Sequence, residues 1–209
     1  MGFSDDGRWW WDGSNWLASA QVVIPDLPVT DFERSGKLEV ARGRRKDAER
    51  LTLASGFPAL TLLAGAASIG PFNEASGDYR TWTLEQLALA TAYLLGPDEP
   101  MTAGDGGTLV TGELDLPPFR RDLAVAVTRD HVLVFRIDSV DGQPRWIALA
   151  GRSKDVTIEL QTGLHRGTKG LTFGSDLRVS GWSGQWTIHS SNPDPVVEAW
   201  RAAARTGPS

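Results

Sequence analysis

The side chains best suited to chemistry fall into three groups: indoles, histidines and clustered cations. Nine tryptophans occur in 209 residues, and four crowd the run Arg8-Trp9-Trp10-Trp11-Asp12-Gly13-Ser14-Asn15-Trp16. An indole offers a large flat apolar face with few rotatable bonds, so it can bind glycans or peptides by stacking at low entropic cost. Trp9, Trp10, Trp11 and Trp16 are therefore candidates for an aromatic binding face. In the competing reading the same indoles cover the core of their own chain. The histidines are His131, His165 and His189. They are far apart in sequence, with no carboxylate or second histidine at ligand spacing on a predicted helix, so no metal site is expected. Serine, histidine and aspartate are present, but no Gly-x-Ser-x-Gly elbow presents a nucleophile. Ser183, in Gly181-Trp182-Ser183-Gly184, reads as part of a strand-to-strand turn. Asp105-Gly106-Gly107 lacks the lysine and following helix of a phosphate loop and reads as a hairpin turn. No acid, base or nucleophile pair emerges, so the expectation is a non-enzymatic protein without a cofactor.

Two groups of cations could hold an anion. Arg42, Arg44, Arg45 and Lys46 lie in the stretch from Arg34 to Arg50, where seven cations outnumber the three acids Glu39, Asp47 and Glu49. Near an anionic lipid surface each cation is worth about 1 kcal/mol. The plainer alternative is an exposed helix face balanced by those acids. Arg166 and Lys169 sit in Gly163-Leu164-His165-Arg166-Gly167-Thr168-Lys169-Gly170. This reads as a Gly-flanked loop between strands, where cations and free amides can hold a phosphate or lipid headgroup. A solvated hairpin loop is again the plainer alternative. The net charge of -5 and pI near 5.2 argue against bulk nucleic-acid binding. The absence of cysteine removes disulfide and thiolate chemistry and fits a reducing compartment. The first residues are polar, acidic and Trp-rich rather than basic then apolar, so no secretory signal is expected.

These side chains need elements to position them. Asp12-Gly13 between aromatic runs predicts a hairpin, because both residues tolerate positive φ. Pro25 and Pro28 end regular structure after Ile24. A basic helical segment is expected from about Phe32 to Arg50. Leu51 to Asn73 carries no charge, which meets the length criterion for a membrane span. Gly56, Pro58, Gly65, Gly70 and Pro71 interrupt it, so a span, a re-entrant segment and a buried core segment all remain open, the core segment first among them. A helix follows from about Thr81 to Leu95, capped by Thr81 or Thr83. Its apolar face reads Leu84, Leu87, Ala88, Ala92 and Leu95, widened by Leu89, Tyr93 and Leu94 so that burial on more than one side is expected, and Gly96-Pro97 ends it. Short strands at regular spacing then predict a barrel or sandwich. They are Leu109 to Leu116, Leu123 to Thr128, Val132 to Ile137, Arg145 to Ala148, Val156 to Leu160, Gly170 to Phe173 and Gln185 to His189, with a further early one near Met101 left open. Asn192-Pro193 opens a closing helix with an apolar stripe of Val196, Val197, Trp200 and Ala203 or Ala204. Trp200 is expected in the core.

The run Leu123-Ala124-Val125-Ala126-Val127-Thr128-Arg129-Asp130-His131-Val132-Leu133-Val134-Phe135, with Leu95-Gly96-Pro97-Asp98-Glu99-Pro100 entering the first strand, resembles the bacterial, GRAM-related form of the pleckstrin-homology-like superfold. The resemblance covers about half the chain. It implies a seven-strand roll or barrel whose open end is plugged by the last helix. It also implies anionic ligands held by basic inter-strand loops, the usual one following the first strand. At that place this chain has the acidic Thr102-Ala103-Gly104-Asp105-Gly106-Gly107. Arg8, Trp10, Trp11, Asp12, Gly13, Ser14 and Trp16 are similar to a short Trp-rich bacterial domain of unknown function that often accompanies membrane-anchored proteins. The expected organisation is α+β: a Trp-rich β-hairpin (1–24), a helical segment with the basic run and uncharged stretch (25–96), a pleckstrin-homology-like domain (97–205) and a tail (206–209). The expected role is interaction or scaffolding, with a protein partner or an anionic membrane surface and neither nucleic acid nor metal. The expected place is the cytoplasm, with attachment to or insertion in the inner membrane face through residues 51–72 as the open alternative. A carbohydrate- or cell-wall-binding protein using the Trp face is the second reading.

Overall fold

The computed structural model describes residues 1–36, 72–112, 122–138, 143–167, 170–190 and 192–206. Residues Gly2–Phe3 (β1), Trp9–Trp11 (β2) and Trp16–Ala18 (β3) form a small antiparallel sheet in that order. A 3-10 turn at Ser19–Gln21 follows, then the short helix α1, Asp31–Arg34. α1 opens with a capping box: the Thr30 hydroxyl accepts from the Glu33 N–H, and the Glu33 carboxylate accepts from the Thr30 N–H. Gly36, at φ +74°, follows it. The helix expected from about Phe32 to Arg50 is therefore not continuous through Gly36; its remainder, with Arg42, Arg44, Arg45 and Lys46, lies outside the described residues, as does most of the uncharged stretch.

Helix α2 spans Phe72–Leu95, longer than expected, so Thr81 and Thr83 lie inside it rather than at its cap. Its buried face is Gln86, Leu87, Ala90, Thr91 and Leu94, whereas Ala88 and Ala92 are exposed. The large residues of the widened stripe, Leu84, Leu87, Leu89, Tyr93, Leu94 and Leu95, do pack on the core, and only the two alanines of the expected face are turned out. Leucine side chains remove more apolar area from water than alanines do, so it is the leucines on either side of the stripe that settle on the core. Gly96, at φ +85°, donates its N–H to the Ala92 carbonyl and stops the helix.

Seven antiparallel strands follow: Ala103–Gly112 (β4), Asp122–Val127 (β5), His131–Ile137 (β6), Pro144–Arg152 (β7), Thr157–Gly167 (β8), Gly170–Gly181 (β9) and Gly184–Ser190 (β10). Their order is β7-β6-β5-β4-β10-β9-β8, with β10 returning beside β4. The last helix, α3, is Asp194–Thr206. The strands run longer than the apolar runs that announced them. Asp105-Gly106-Gly107, expected as a turn, is inside β4 opposite Leu123 to Val125. Gly107 belongs there because a Cβ would fall 1.9 Å from the His189 carbonyl oxygen. Asp105 is buried and accepts from the Ser190 hydroxyl and the Asn192 N–H, which tie β10 and the approach to α3 to β4.

Alternation along β5 and β6 divides two cores. Leu123, Val125, Val127, Val132 and Val134 face a cluster with Leu149, Ile158, Leu177, Val179, Trp186 and Ile188, onto which Val196, Val197 and Ala203 of α3 pack. Ala124, Ala126, Leu133 and Phe135 face the opposite way, toward Leu87, Ala90 and Leu94 of α2 and Phe3, Trp10, Val22 and Ile24. Burial on both sides is why these strands are nearly unbroken apolar runs. α3 packs against β4, β5 and also the distant edge strand β8, so the sheet curls around it. The expected barrel is not formed: β7 and β8, the ends of the order, make no ladder with each other among the described residues. Side chains of the β9–β10 turn reach β7 instead. The Trp182 indole N–H donates to the Ala150 carbonyl at 2.7 Å, and the Ser183 hydroxyl to the Ala148 carbonyl at 3.0 Å. Trp200 is partly buried rather than fully so. Its indole N–H donates to the Ser153 and Val156 carbonyls at 3.0 and 2.9 Å.

Candidate functional site

The small sheet has two faces set by its register. Phe3 is opposite Trp10, and Trp10 opposite Leu17, on one side; Gly2, Trp11 and Trp16 align on the other, with Trp9 opposite Ala18. Trp10 is therefore not part of an exposed aromatic face. It is 3% exposed, its indole N–H donates to the Leu94 carbonyl at 3.0 Å, and its ring lies 5.8 Å from that of Tyr93. The end of α2 supplies both contacts, so one indole anchors the sheet to the outer core. Trp9 and Trp16 are 49% and 53% exposed, and Trp11 is partly buried.

The loop joining β2 and β3 holds this face in place. It spans four residues, Asp12 to Asn15, rather than an isolated Asp-Gly pair. The Asp12 carboxylate accepts from the Ser14 and Asn15 N–H groups at 2.6 and 2.7 Å. Those bonds, Asn15 first, hold its carboxyl below the usual carboxylate range. Gly13 alone takes positive φ here, at 105°. Trp11 and Trp16 face each other across the strands with ring centroids 5.5 Å apart and planes inclined by 50°. Their indoles, with Met1, Gly2 and Phe3, line an open slot of about 330 Å³. Gly2 sits opposite Trp11 and contributes no side chain, which leaves the slot open. Among the described residues no charged or amide side chain lines it.

A second cavity, of about 440 Å³, lies where the small sheet meets the large one, lined by Asp5, Asp6, Arg8, Gly151, Asp155, Val156 and Trp182. The Arg8 guanidinium lies 5.6 Å from the Trp182 ring centre, and Arg152 pairs with Asp5 at 3.0 Å. The Ser4 hydroxyl and the Arg8 N–H donate to Asp6 and hold its carboxyl low. Gly7 has φ +71°, and a Cβ there would lie 1.9 Å from the Ala150 carbonyl oxygen. The loop thus seats directly on β7.

The expected basic loop is reduced. Arg166 belongs to strand β8, opposite Leu171, and not to a loop; the strands run up to it on both sides. Lys169 lies outside the described residues. The Trp face and these cations are not brought together among the described residues. Two carboxylate–histidine pairs were missed by sequence spacing. His131 Nδ1 lies 2.8 Å from Glu99, and His189 Nδ1 lies 2.8 Å from Asp176. In each, the partner comes from another element, 32 and 13 residues away. Burial alone would raise the Glu99 carboxyl. Hydrogen bonds from His131 and Thr128, the His131 charge and the Asp130 N–H outweigh it and hold the carboxyl below its usual range. Neither pair lines either cavity. No protein-family model matches this chain, and no curated protein is recognisably similar to it in sequence.

Proposed function

We propose that this chain is a non-enzymatic interaction protein. In this reading a pleckstrin-homology-like roll carries the Trp-rich sheet as an integral binding face. The observation that carries it is the division of labour among the indoles. Trp10 is spent on anchoring, while Trp11 and Trp16 line a slot and Trp9 is exposed on the same face. The four-strand and three-strand meanders followed by a helix lying against β4, β5 and β8 support the superfold reading. The slot suits an extended apolar peptide such as a proline-rich segment. Such segments dock in aromatic-lined grooves without needing many side-chain hydrogen bonds. A sugar would need several polar partners for its hydroxyls, and among the described residues the slot lining offers only the indole N–H groups of Trp11 and Trp16 as side-chain donors, which ranks the carbohydrate reading second. Attachment to a membrane through the basic run and residues 51–72 belongs to the same proposal. Among the described residues no helix is long and apolar enough to cross a membrane.

The test is titration of the full chain, followed by tryptophan fluorescence and by amide shifts of residues 2, 11 and 16. One arm uses a proline-rich peptide and the other a soluble N-acetylglucosamine oligomer. Saturable shifts with the peptide, lost in Trp16→Ala, support the reading. Shifts with the saccharide alone move the assignment to the carbohydrate alternative. No shift with either sinks the aromatic-face reading.

A further inference from the structure

The two ends of the large sheet are treated differently. β7 is covered by the chain's own N-terminal segment: the Ile24 N–H donates to the Arg145 carbonyl at 2.8 Å, and Val23 bridges Trp146. β8 pairs with β9 alone among the described strands. It is 11 residues long, about twice a common strand. An edge strand is a row of unpaired N–H and C=O groups, and proteins usually blunt it with proline, lysine, a bulge or shortness. β8 contains neither proline nor lysine, and its charged residues are Glu159 and Arg166, toward its two ends. Its register with β9 runs unbroken from Thr157↔Ser180 to Gly167↔Gly170. Thr162, at its midpoint, is exposed.

We propose that the β8 edge is a self-association surface, pairing antiparallel with β8 of a second copy about a two-fold axis at Thr162. The charge order along the strand favours a copy over an arbitrary strand. Its acid, Glu159, lies toward the N-terminal end, and its basic residues, His165 and Arg166, toward the other. With Thr162 on the axis, position 159 meets position 165 of the second copy and position 158 meets position 166. Like charges are never directly opposed, which antiparallel pairs penalise. Such pairing is isologous and closes at two copies. It covers the one long edge that the described residues leave bare.

Sedimentation equilibrium of the full chain, over a concentration series, tests this together with two sets of variants. The chain has no cysteine, so a single introduced thiol reports cleanly. Directly opposed residues of antiparallel strands have Cβ atoms about 4.5–5.5 Å apart, near disulfide reach. The wild type is expected to dimerise. Thr162→Cys is expected to oxidise to a covalent dimer much faster than Ser14→Cys in the hairpin loop. Glu159→Lys should raise the dimer dissociation constant roughly three- to tenfold. Adding His165→Glu and Arg166→Glu to it should restore the wild-type value. A chain that stays monomeric over the whole series overturns the proposal whatever the variants do. So does a dimer in which Thr162→Cys crosslinks no faster than Ser14→Cys.

Discussion

Glu99 collects hydrogen bonds from the Thr128 hydroxyl, the Asp130 N–H and the His131 ring, so one carboxylate organises the turn between β5 and β6. Its folded-state acidity is lowered, so its contribution is fully present above the unfolded value, ordinarily 4.5, and is lost as pH falls through the folded one. We expect urea stability of the wild type to drop on acidification below about 4.5, and Glu99→Gln to lose less over that window while starting from a lower stability at neutral pH. Equal slopes for the two proteins would show that Glu99 is not the linked group. At the same scale the indoles separate into anchor and surface. Trp10→Ala should cost about 3–5 kcal/mol in chemical denaturation, as a buried aromatic does. Trp16→Ala should stay within about 1 kcal/mol. A stability loss at Trp16 as large as that at Trp10 would mean the outer indole is core as well.

Elements dock through single close contacts. The β1–β2 connection rests on Gly7, whose missing Cβ lets the backbone sit on the Ala150 carbonyl. Gly7→Ala combines a positive φ with a steric clash and should cost about 2 kcal/mol or more. Its signature would be loss of near-ultraviolet tryptophan dichroism before the large sheet unfolds. An unchanged spectrum and midpoint would show that the loop does not need that contact. α3 is held by Trp200, whose indole N–H is shared by the Ser153 and Val156 carbonyls at the turn into β8. Trp200→Phe keeps most of the apolar contact and should lose about 1 kcal/mol for the donor. Trp200→Ala should lose about 3 kcal/mol. Comparable losses in both variants would put the whole effect on the hydrogen bonds.

At the scale of the whole molecule, the large sheet is curled rather than closed. α3 occupies one side of it, and α2 with the Trp-rich sheet covers the other over β5 to β7. The N-terminal 24 residues are thus part of the outer core and not an independent appendage: Ile24 is fully buried and Val22 nearly so. Attachment to an anionic surface would use the segment between α1 and α2. Replacing Arg42, Arg44, Arg45 and Lys46 with glutamine should abolish the salt-sensitive part of sedimentation with anionic vesicles, because added salt screens surface charge. Wild-type protein that stays in the supernatant at low and high salt, with anionic and with neutral vesicles, would end the membrane proposal.

Periodicity along the chain sufficed for the closing helix, the α+β class and the strands after β4, because alternation and helical spacing are local properties that burial imprints on residue type; of the expected first strand, Leu109 to Leu116, only its start falls in β4 among the described residues. The apolar run from Leu123 to Val127 even carried the sign that its strand is covered on both faces. What lay beyond it were facts about pairs distant in sequence. Which indole of Trp9, Trp10 and Trp11 turns inward depends on where the small sheet meets Leu94. Which way α2 rotates depends on the alanines of β5 beneath it. His131 meets Glu99 once β4, β5 and β6 have paired, and Asp105 becomes a buried acceptor inside a strand once β10 has come back beside β4. Tertiary packing alone settles such choices, since several rotations and registers satisfy the same local pattern and differ only in the area and hydrogen bonds they bury together.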